Sequence, residues 1–174
     1  MKPTPTSAPA PLVFDRIVKT FGGTKAPKGV SMQVDAGEVV ALLGENGAGK
    51  STLIKILGGI YQADAGSISI HGVPYHHRAC RFGAEQAVAF IHQDLGLVEW
   101  MTVAENMALA LGYVRRGGLI AWRQLEALAA EALARVHCDV PPTARVPSLS
   151  RTEKSLVAIA RALAVDCRFL VLDE

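Results

Sequence analysis

The stretch Gly44-Glu-Asn-Gly-Ala-Gly-Lys-Ser-Thr52 decides the fold, because it fills every fixed position of the pattern G-x-x-x-x-G-K-[ST]. The continuous apolar run Val39–Leu43 precedes it, as in a strand that is buried on both faces. Lys50–Leu57 follows it with the spacing of a helix, which Gly58 and Gly59 end. We therefore predict a buried strand, a glycine-rich loop and a helix, in that order.

This order predicts a phosphate site. Glycines let the loop turn its N–H groups inward, and the helix adds the positive end of its dipole. Lys50 is expected to reach the β- and γ-phosphates of a nucleotide, and the Ser51 hydroxyl to bind Mg²⁺. The residues expected to contact the nucleotide are Gly44, Glu45, Asn46, Gly47, Ala48, Gly49, Lys50, Ser51 and Thr52.

Two carboxylates end the sequence. Phe169–Leu172 is a short apolar run typical of a strand, and Asp173 and Glu174 follow it. A buried strand delivers such side chains to the ligand-binding edge of a parallel sheet. We expect Asp173 to hold Mg²⁺, directly or through water, and Glu174 to polarise an attacking water.

The rest of the chain alternates strands and helices. The pattern predicts strands at Leu12–Phe21 and Val30–Val34, joined at Gly22-Gly23, and further strands at Ser67–His71 and Ala87–Ile91. Capping-box spacing starts one helix at Thr102 and another at Ser150. A third helix is expected at Trp122–His137, with a buried face formed by Leu125, Leu128, Ala129, Ala132, Leu133 and Val136. The order predicts an α/β layered fold with an inserted helical subdomain.

Composition and charge argue against several classes of protein. Half of the 174 residues are apolar, which excludes wholesale disorder, although residues 1–11 resemble a disordered lead-in. A net charge of +2 gives no support for nucleic acid as a partner. Three widely separated cysteines favour a reducing compartment over a disulfide scaffold. His76, His77 and Cys80 could together bind a metal ion, but a fourth ligand is lacking, and we interpret them as part of a polar surface segment. Arg115-Arg116, beside Gly117-Gly118, is interpreted as a solvated turn.

With these motifs in place, the sequence resembles the ATPase subunit of an ABC transporter. The stretches LIKILGGIYQADAGSISIHG and AFIHQDLGLVEWMTVAENMALALG resemble the ATP-binding proteins of bacterial simple-sugar importers, the ribose, galactose and xylose type. The resemblance implies the N-terminal half of two fused ATPases, here ending after the Walker B motif (FLVLDE). It implies a P-loop NTPase core, an antiparallel β subdomain and a helical subdomain, C-terminally incomplete.

The resemblance also implies a domain division and further site residues. The expected division is a lead-in (1–11), a nucleotide-binding core with β subdomain (12–94), a helical subdomain (95–160) and a return to the core (161–174). Phe21 corresponds to the aromatic that stacks on adenine, with an ordinary core phenylalanine as the alternative. Gln93 corresponds to the glutamine that contacts Mg²⁺ and the attacking water. Ser150 corresponds to the signature serine that meets the γ-phosphate of ATP held by the partner half.

Two departures from the family pattern stand out. Arg151 and Thr152 replace two signature glycines, and Glu153 replaces a glutamine, so contact with phosphate should weaken and hydrolysis at that site should be slow. Pro27 stands where the family has an apolar residue, and we interpret it as reshaping a hairpin turn.

The expected function is ATP hydrolysis that powers carbohydrate import. The implied partners are a second ATPase half, membrane permease subunits and, indirectly, a periplasmic sugar-binding protein, with no nucleic acid. The implied location is peripheral, on the cytoplasmic face of the bacterial inner membrane. The alternatives are a truncated or regulatory half that binds nucleotide without turnover, and an ABC ATPase with no transport role. The segment alone is expected to be inactive in hydrolysis.

Overall fold

The computed structural model describes residues 12–76, 87–92, 94–165 and 167–172. The predictions for residues 1–11, His77, Cys80, Gln93, Asp173 and Glu174 lie outside this part of the chain. The chain divides into two compact units, Met1–Ala79 and Cys80–Glu174, which are described separately. Among the described residues, no helix combines the length and apolar character needed to cross a lipid bilayer.

The first unit is built on an antiparallel sheet. Its strands are β1 (Leu12–Phe21), β2 (Thr24–Val34), β3 (Ala65–Ile70) and β4 (Val73–Pro74), in the spatial order β2-β1-β3-β4. The predicted turn at Gly22-Gly23 joins β1 to β2. A bulge at Arg16, whose φ is 47°, shifts the register. Among the described residues of this unit, the buried apolar side chains besides Pro27 are Leu12, Phe14, Ile17, Leu53, Ile56, Leu57, Ile68 and Ile70.

The predicted helix after the phosphate loop is present as α1 (Lys50–Leu57). Leu53, Ile56 and Leu57 form its buried side. Its C-terminal end is at Gly58, whose N–H donates to the carbonyl oxygen of Ile54 at 2.8 Å. The glycine pair therefore ends the helix as predicted.

The predicted buried strand Val39–Leu43 is wrong. These residues have no strand assignment, and the side chains of Val39 and Leu43 are 97% and 90% exposed. An apolar run predicts that burial is favourable, but a strand also needs a neighbour for its backbone hydrogen bonds. The antiparallel sheet of the first unit is formed from four other segments and does not include this run.

In the described part of the second unit, three helices share a hydrophobic core. They are α2 (Val103–Leu111), α3 (Trp122–Ala134) and α4 (Arg151–Ala164), and a short 3-10 turn at Val146–Ser148 precedes α4. The core comprises Val103, Ala104, Met107, Ala129, Ala132, Leu133, Cys138, Val140, Val157 and Ala160. Both predicted capping boxes are present, at Thr102 and Ser150. Two details of the α3 prediction are wrong: the helix ends at Ala134, and Leu128 is exposed.

The second unit also holds a parallel strand pair and a small hairpin. Strand β5 (Val88–Ile91) pairs in parallel with β8 (Phe169–Leu172), as an α/β fold requires. Between α2 and α3, β6 (Arg115–Arg116) pairs with β7 (Leu119–Ile120). The interpretation of Arg115-Arg116 as a plain turn is therefore corrected. Gly117 and Gly118, with φ of 58° and 85°, form the two-residue turn that joins two paired strands.

Candidate functional site

The phosphate loop leads directly into α1, and two glycines determine its path. Gly47 and Gly49 have φ values of 85° and 95°, in the left-handed region where L side chains are strained. Gly49 is the residue immediately before the helix. The first-turn N–H groups of α1 lack partners within the helix and are available to an anion at this end.

The Lys50 side chain folds back over the loop. Its Nζ donates hydrogen bonds to the carbonyl oxygens of Gly44, at 2.6 Å, and Glu45, at 2.9 Å. An ammonium group carries three N–H donors, so one remains for a further acceptor. The charge is thus fixed at the N-terminal end of α1, where the helix dipole also favours an anion.

Pro27 packs against the phosphate loop at Gly49. A Cβ atom on Gly49 would lie 2.9 Å from the backbone nitrogen of Pro27 and 3.1 Å from its Cα. Pro27 is fully buried, so the interpretation that it only reshapes a hairpin turn is wrong. It lies in edge strand β2 between the pairs Val18–Lys28 and Thr20–Lys25, where the ladder is irregular. Proline is tolerated there because no ladder N–H is required.

Ser51 is the residue of this loop that fits Mg²⁺. It lies in the first turn of α1 and is exposed. Mg²⁺ takes oxygen ligands, keeps several waters and is commonly shared with substrate phosphates, so one hydroxyl is a suitable protein ligand. Among the described residues, no group of three or more His, Cys, Asp or Glu could hold a metal ion without that help.

Phe21 ends β1 in the same unit and is 42% exposed, which excludes the alternative of an ordinary core phenylalanine. Its ring meets Tyr61 edge-on at 5.2 Å between centroids, and the Lys19 ammonium lies 5.9 Å from its centre. Lys19 also donates to Asp64 at 2.7 Å, and that hydrogen bond holds the pKa of the Asp64 carboxyl below its usual value. One side of the Phe21 ring is thus held by neighbours while part of its surface stays accessible.

Ser150 caps α4 in the second unit. Its hydroxyl accepts from the Glu153 N–H at 3.3 Å, and the Glu153 carboxylate accepts from the Ser150 N–H at 2.7 Å. Hydrogen bonding to the Ser150 hydroxyl, and to a smaller degree to the Ser150 N–H, lowers the pKa of the Glu153 carboxyl below its usual value. A negative charge therefore occupies the N-terminal end of α4, next to the exposed Arg151 and Thr152.

Arg161, on the same helix, holds the turn at Leu95 and Gly96. Its guanidinium donates to the carbonyl oxygens of Leu95, at 2.8 Å, and Gly96, at 2.7 Å. Leu95 and Gly96 have φ values of 57° and 53°, so the turn is left-handed at both positions. Burial lowers the pKa of Arg161, and the nearby Asp94 carboxylate opposes that shift. This pair of hydrogen bonds, here called the Arg161 fork, joins α4 to the turn at Leu95 and Gly96.

Comparison with known proteins identifies the family. The family model described as "ABC transporter" matches residues 27–174. The chain belongs to the ABC transporter family.

The relatives of this ABC chain are named as sugar-import proteins. An arabinose import ATP-binding protein of Burkholderia ambifaria is 43% identical over 170 residues, which are 95% of this chain and 33% of that protein. A ribose import ATP-binding protein of Rhizobium meliloti is 44% identical over 163 residues, covering 94% and 32%. These names confirm the resemblance drawn from the motifs. The chain spans about a third of the length of these relatives.

Solved structures confirm the fold of an ABC ATPase cassette. The cbiO1 protein of Clostridium perfringens, part of the ABC transporter complex cbiONQ, matches with a TM-score of 0.75 and 26% identity over 97% of this chain and 66% of that one. A dimeric ATP-binding cassette bound to ADP and Pi matches in fold, with a TM-score of 0.74 and 24% identity over 94% of this chain and 73% of that one.

The residues that correspond to the family motifs lie partly in the first unit and partly in the second. The phosphate loop and Phe21 lie in the first unit, and Ser150 lies in the second. Gln93, Asp173 and Glu174 lie outside the described residues, so their roles stay predictions.

Sequence reasoning missed two supporting residues, Arg161 and Asn106, and misinterpreted a third, Pro27. Asn106 is completely buried, and its side chain donates to the carbonyl oxygens of Val98 and Thr102 and accepts from the Val98 N–H at 2.8 Å. Its position inside an apolar helix was the available signal, since a buried polar residue has to be hydrogen-bonded.

Proposed function

We propose that this chain is the ATP-binding part of an importer for a small sugar, and that it binds MgATP at residues 44–52. The observation that carries the proposal is the Lys50 ammonium fixed over the phosphate loop at the start of α1. Family membership and the names of the ribose and arabinose relatives support it. In an assembled importer, ATP hydrolysis would power import.

Each site residue has a role in this proposal. Lys50 binds the β- and γ-phosphates, the loop N–H groups bind the remaining phosphate oxygens, and Ser51 contributes an oxygen to Mg²⁺. Phe21 stacks on adenine with its accessible face. Gln93 and Asp173 hold the metal and Glu174 polarises water. Partners are a second ATPase half, a membrane permease and, indirectly, a periplasmic sugar-binding protein, with the ATPase peripheral to the inner membrane on its cytoplasmic face.

Nucleotide binding by this 174-residue chain tests the proposal. We expect ATP to bind, more tightly with Mg²⁺ than without it, and Lys50→Ala to weaken binding at least about 10-fold because a charge-assisted contact is lost. Lys55→Ala is the matched control, since Lys55 lies on the same helix and its amino group faces Tyr61. Titration with a fluorescent ATP analogue measures the affinity of the wild-type chain, with and without Mg²⁺, and of both variants. Equal affinity of the two variants would refute the assigned role of Lys50.

We further propose that the composite site served by Ser150 turns over slowly. The Glu153 carboxylate already accepts the Ser150 N–H, and its charge repels a γ-phosphate. Arg151 and Thr152 place side chains where close approach of backbone to phosphate would require glycine. This favours a half that binds nucleotide with little turnover at that site.

Restoring the glycines tests this second proposal. In the assembled transporter that contains this chain, Arg151→Gly combined with Thr152→Gly should raise steady-state ATPase activity several-fold. Because glycine weakens helices by about 1 kcal/mol per residue, unfolding midpoints have to be compared alongside. An unchanged rate in a folded double variant would count against a weak signature.

A further inference from the structure

One region of the second unit remains outside the nucleotide chemistry: residues 113–123, here called the basic hairpin. It consists of β6, β7 and the start of α3. Arg115, Arg116 and Arg123 are exposed. No acidic residue occurs in the sequence between Glu105 and Glu126, so the three arginines give the basic hairpin a net charge of +3. The entire chain carries a net charge of only +2. Glu105 is itself engaged with Thr102 in a capping box.

Large apolar side chains lie among these charges. Leu119 is 76% exposed and Trp122 is 45% exposed. Leu119 pairs with Arg116 across the hairpin, so the two side chains lie on the same face. The Trp122 indole is held edge-on against Tyr113 at 6.5 Å, and Ala121 N–H bonds to the carbonyl oxygen of Val114 at 2.9 Å. The base of the hairpin is therefore held by a ring contact and a backbone hydrogen bond.

We propose that the basic hairpin binds the anionic surface of a lipid bilayer. The arginine guanidiniums would pair with headgroup phosphates, while Leu119 and Trp122 enter the boundary between headgroups and acyl chains. Arginine beside exposed leucine and tryptophan is the composition of interfacial membrane-binding segments. An acidic protein segment would satisfy the arginines but would not by itself account for the exposed leucine at the tip.

A lipid contact at the basic hairpin would orient a peripheral ATPase on the membrane independently of its permease. It requires neither nucleotide nor turnover, so vesicle binding can fail while ATP binding succeeds, and the reverse is equally possible.

Vesicle sedimentation with the 174-residue chain tests the lipid contact. We expect binding to phosphatidylcholine vesicles only when about a third of the lipid is phosphatidylglycerol, and release at high salt. Arg115→Gln with Arg116→Gln should lower the partition coefficient by about 25-fold, or about fivefold per arginine. Leu119→Ser should lower it several-fold while leaving the salt dependence unchanged.

A matched pair elsewhere provides the control. Arg16→Gln with Lys28→Gln removes the same charge from exposed positions in the first unit and should leave binding nearly unchanged. Equal losses in the two double variants would overturn the assignment, because general charge would then explain binding. Absence of binding to all vesicles would also overturn it and would leave an acidic protein segment as the ligand of the arginines.

Tryptophan fluorescence gives a second readout. The chain has two tryptophans, and Trp100→Phe leaves Trp122 as the sole reporter. Its emission should shift to the blue with anionic vesicles, because the indole leaves water. An unshifted spectrum on bound protein would overturn the insertion of Trp122.

Discussion

At the scale of single residues, the contact between Gly49 and Pro27 connects the edge of the antiparallel sheet to the phosphate loop. Two separate constraints apply at Gly49: a left-handed φ of 95° and backbone atoms within 3.1 Å of the position of a Cβ. The motif requires glycine at this position for phosphate binding. The packing requires it independently, because the loop rests on a proline backbone that cannot move away without disturbing β2.

A pair of alanine substitutions separates these constraints. Gly47 has a similar φ of 85° but no atom within 4 Å of its Cβ position. Gly47→Ala should therefore cost only the conformational strain, about 1–2 kcal/mol in the free energy of unfolding. Gly49→Ala should cost at least about 1 kcal/mol more, through the clash with Pro27. Urea unfolding measures both values, and equal costs would show that Pro27 moves aside freely.

At the scale of elements, α4 performs two tasks along its length. Its N-terminal end presents Ser150, Arg151 and Thr152, and its last turn presents Arg161 to the turn at Leu95 and Gly96. A rigid helix transmits a displacement from one end to the other. The Ser150 end of α4 and the turn at Leu95 and Gly96 are thus joined through a single helix.

Removing the Arg161 fork should loosen this link. Arg161→Gln loses two charge-assisted hydrogen bonds to carbonyl oxygens, and we expect a loss of about 2–3 kcal/mol in the free energy of unfolding. Arg161→Lys, which keeps the charge but not the fork, should give an intermediate loss.

Arg135→Gln is the control for this prediction, because the Arg135 side chain is exposed and, among the described residues, donates one 3.3 Å hydrogen bond, to the carbonyl oxygen of Leu163. It should change the free energy of unfolding by less than about 1 kcal/mol. Wild-type stability of Arg161→Lys in chemical denaturation would show that the fork geometry is unimportant.

At the scale of the whole molecule, the sequence predicted most elements where local signals are strong. Glycine pairs marked the β1–β2 turn and the end of α1, and serine or threonine followed by glutamate marked the starts of α2 and α4. These features depend on residues within four positions of each other. The positions of Gln93, Asp173 and Glu174 in the site stay predictions.

The features that were missed depend on residues distant in sequence. Whether Val39–Leu43 forms a strand depends on a hydrogen-bonding neighbour, which no local pattern specifies. Pro27 is separated by more than twenty residues from the glycine on which it packs, and Arg161 by more than sixty from the turn it holds. Apolar periodicity predicts a helical face, but the helices packed around α3 decided that Leu128 stays exposed.

The buried amide of Asn106 has a consequence for hydrogen exchange. The Val98 N–H lies outside any helix or strand, yet its acceptor is a side chain with no exposed surface. Exchange with solvent requires that this bond open, and the bond is anchored to α2 within the core of the second unit. The Val98 proton should therefore exchange as slowly as the protons of the helix interior, and a single resonance from an irregular segment reports how often the helical core opens.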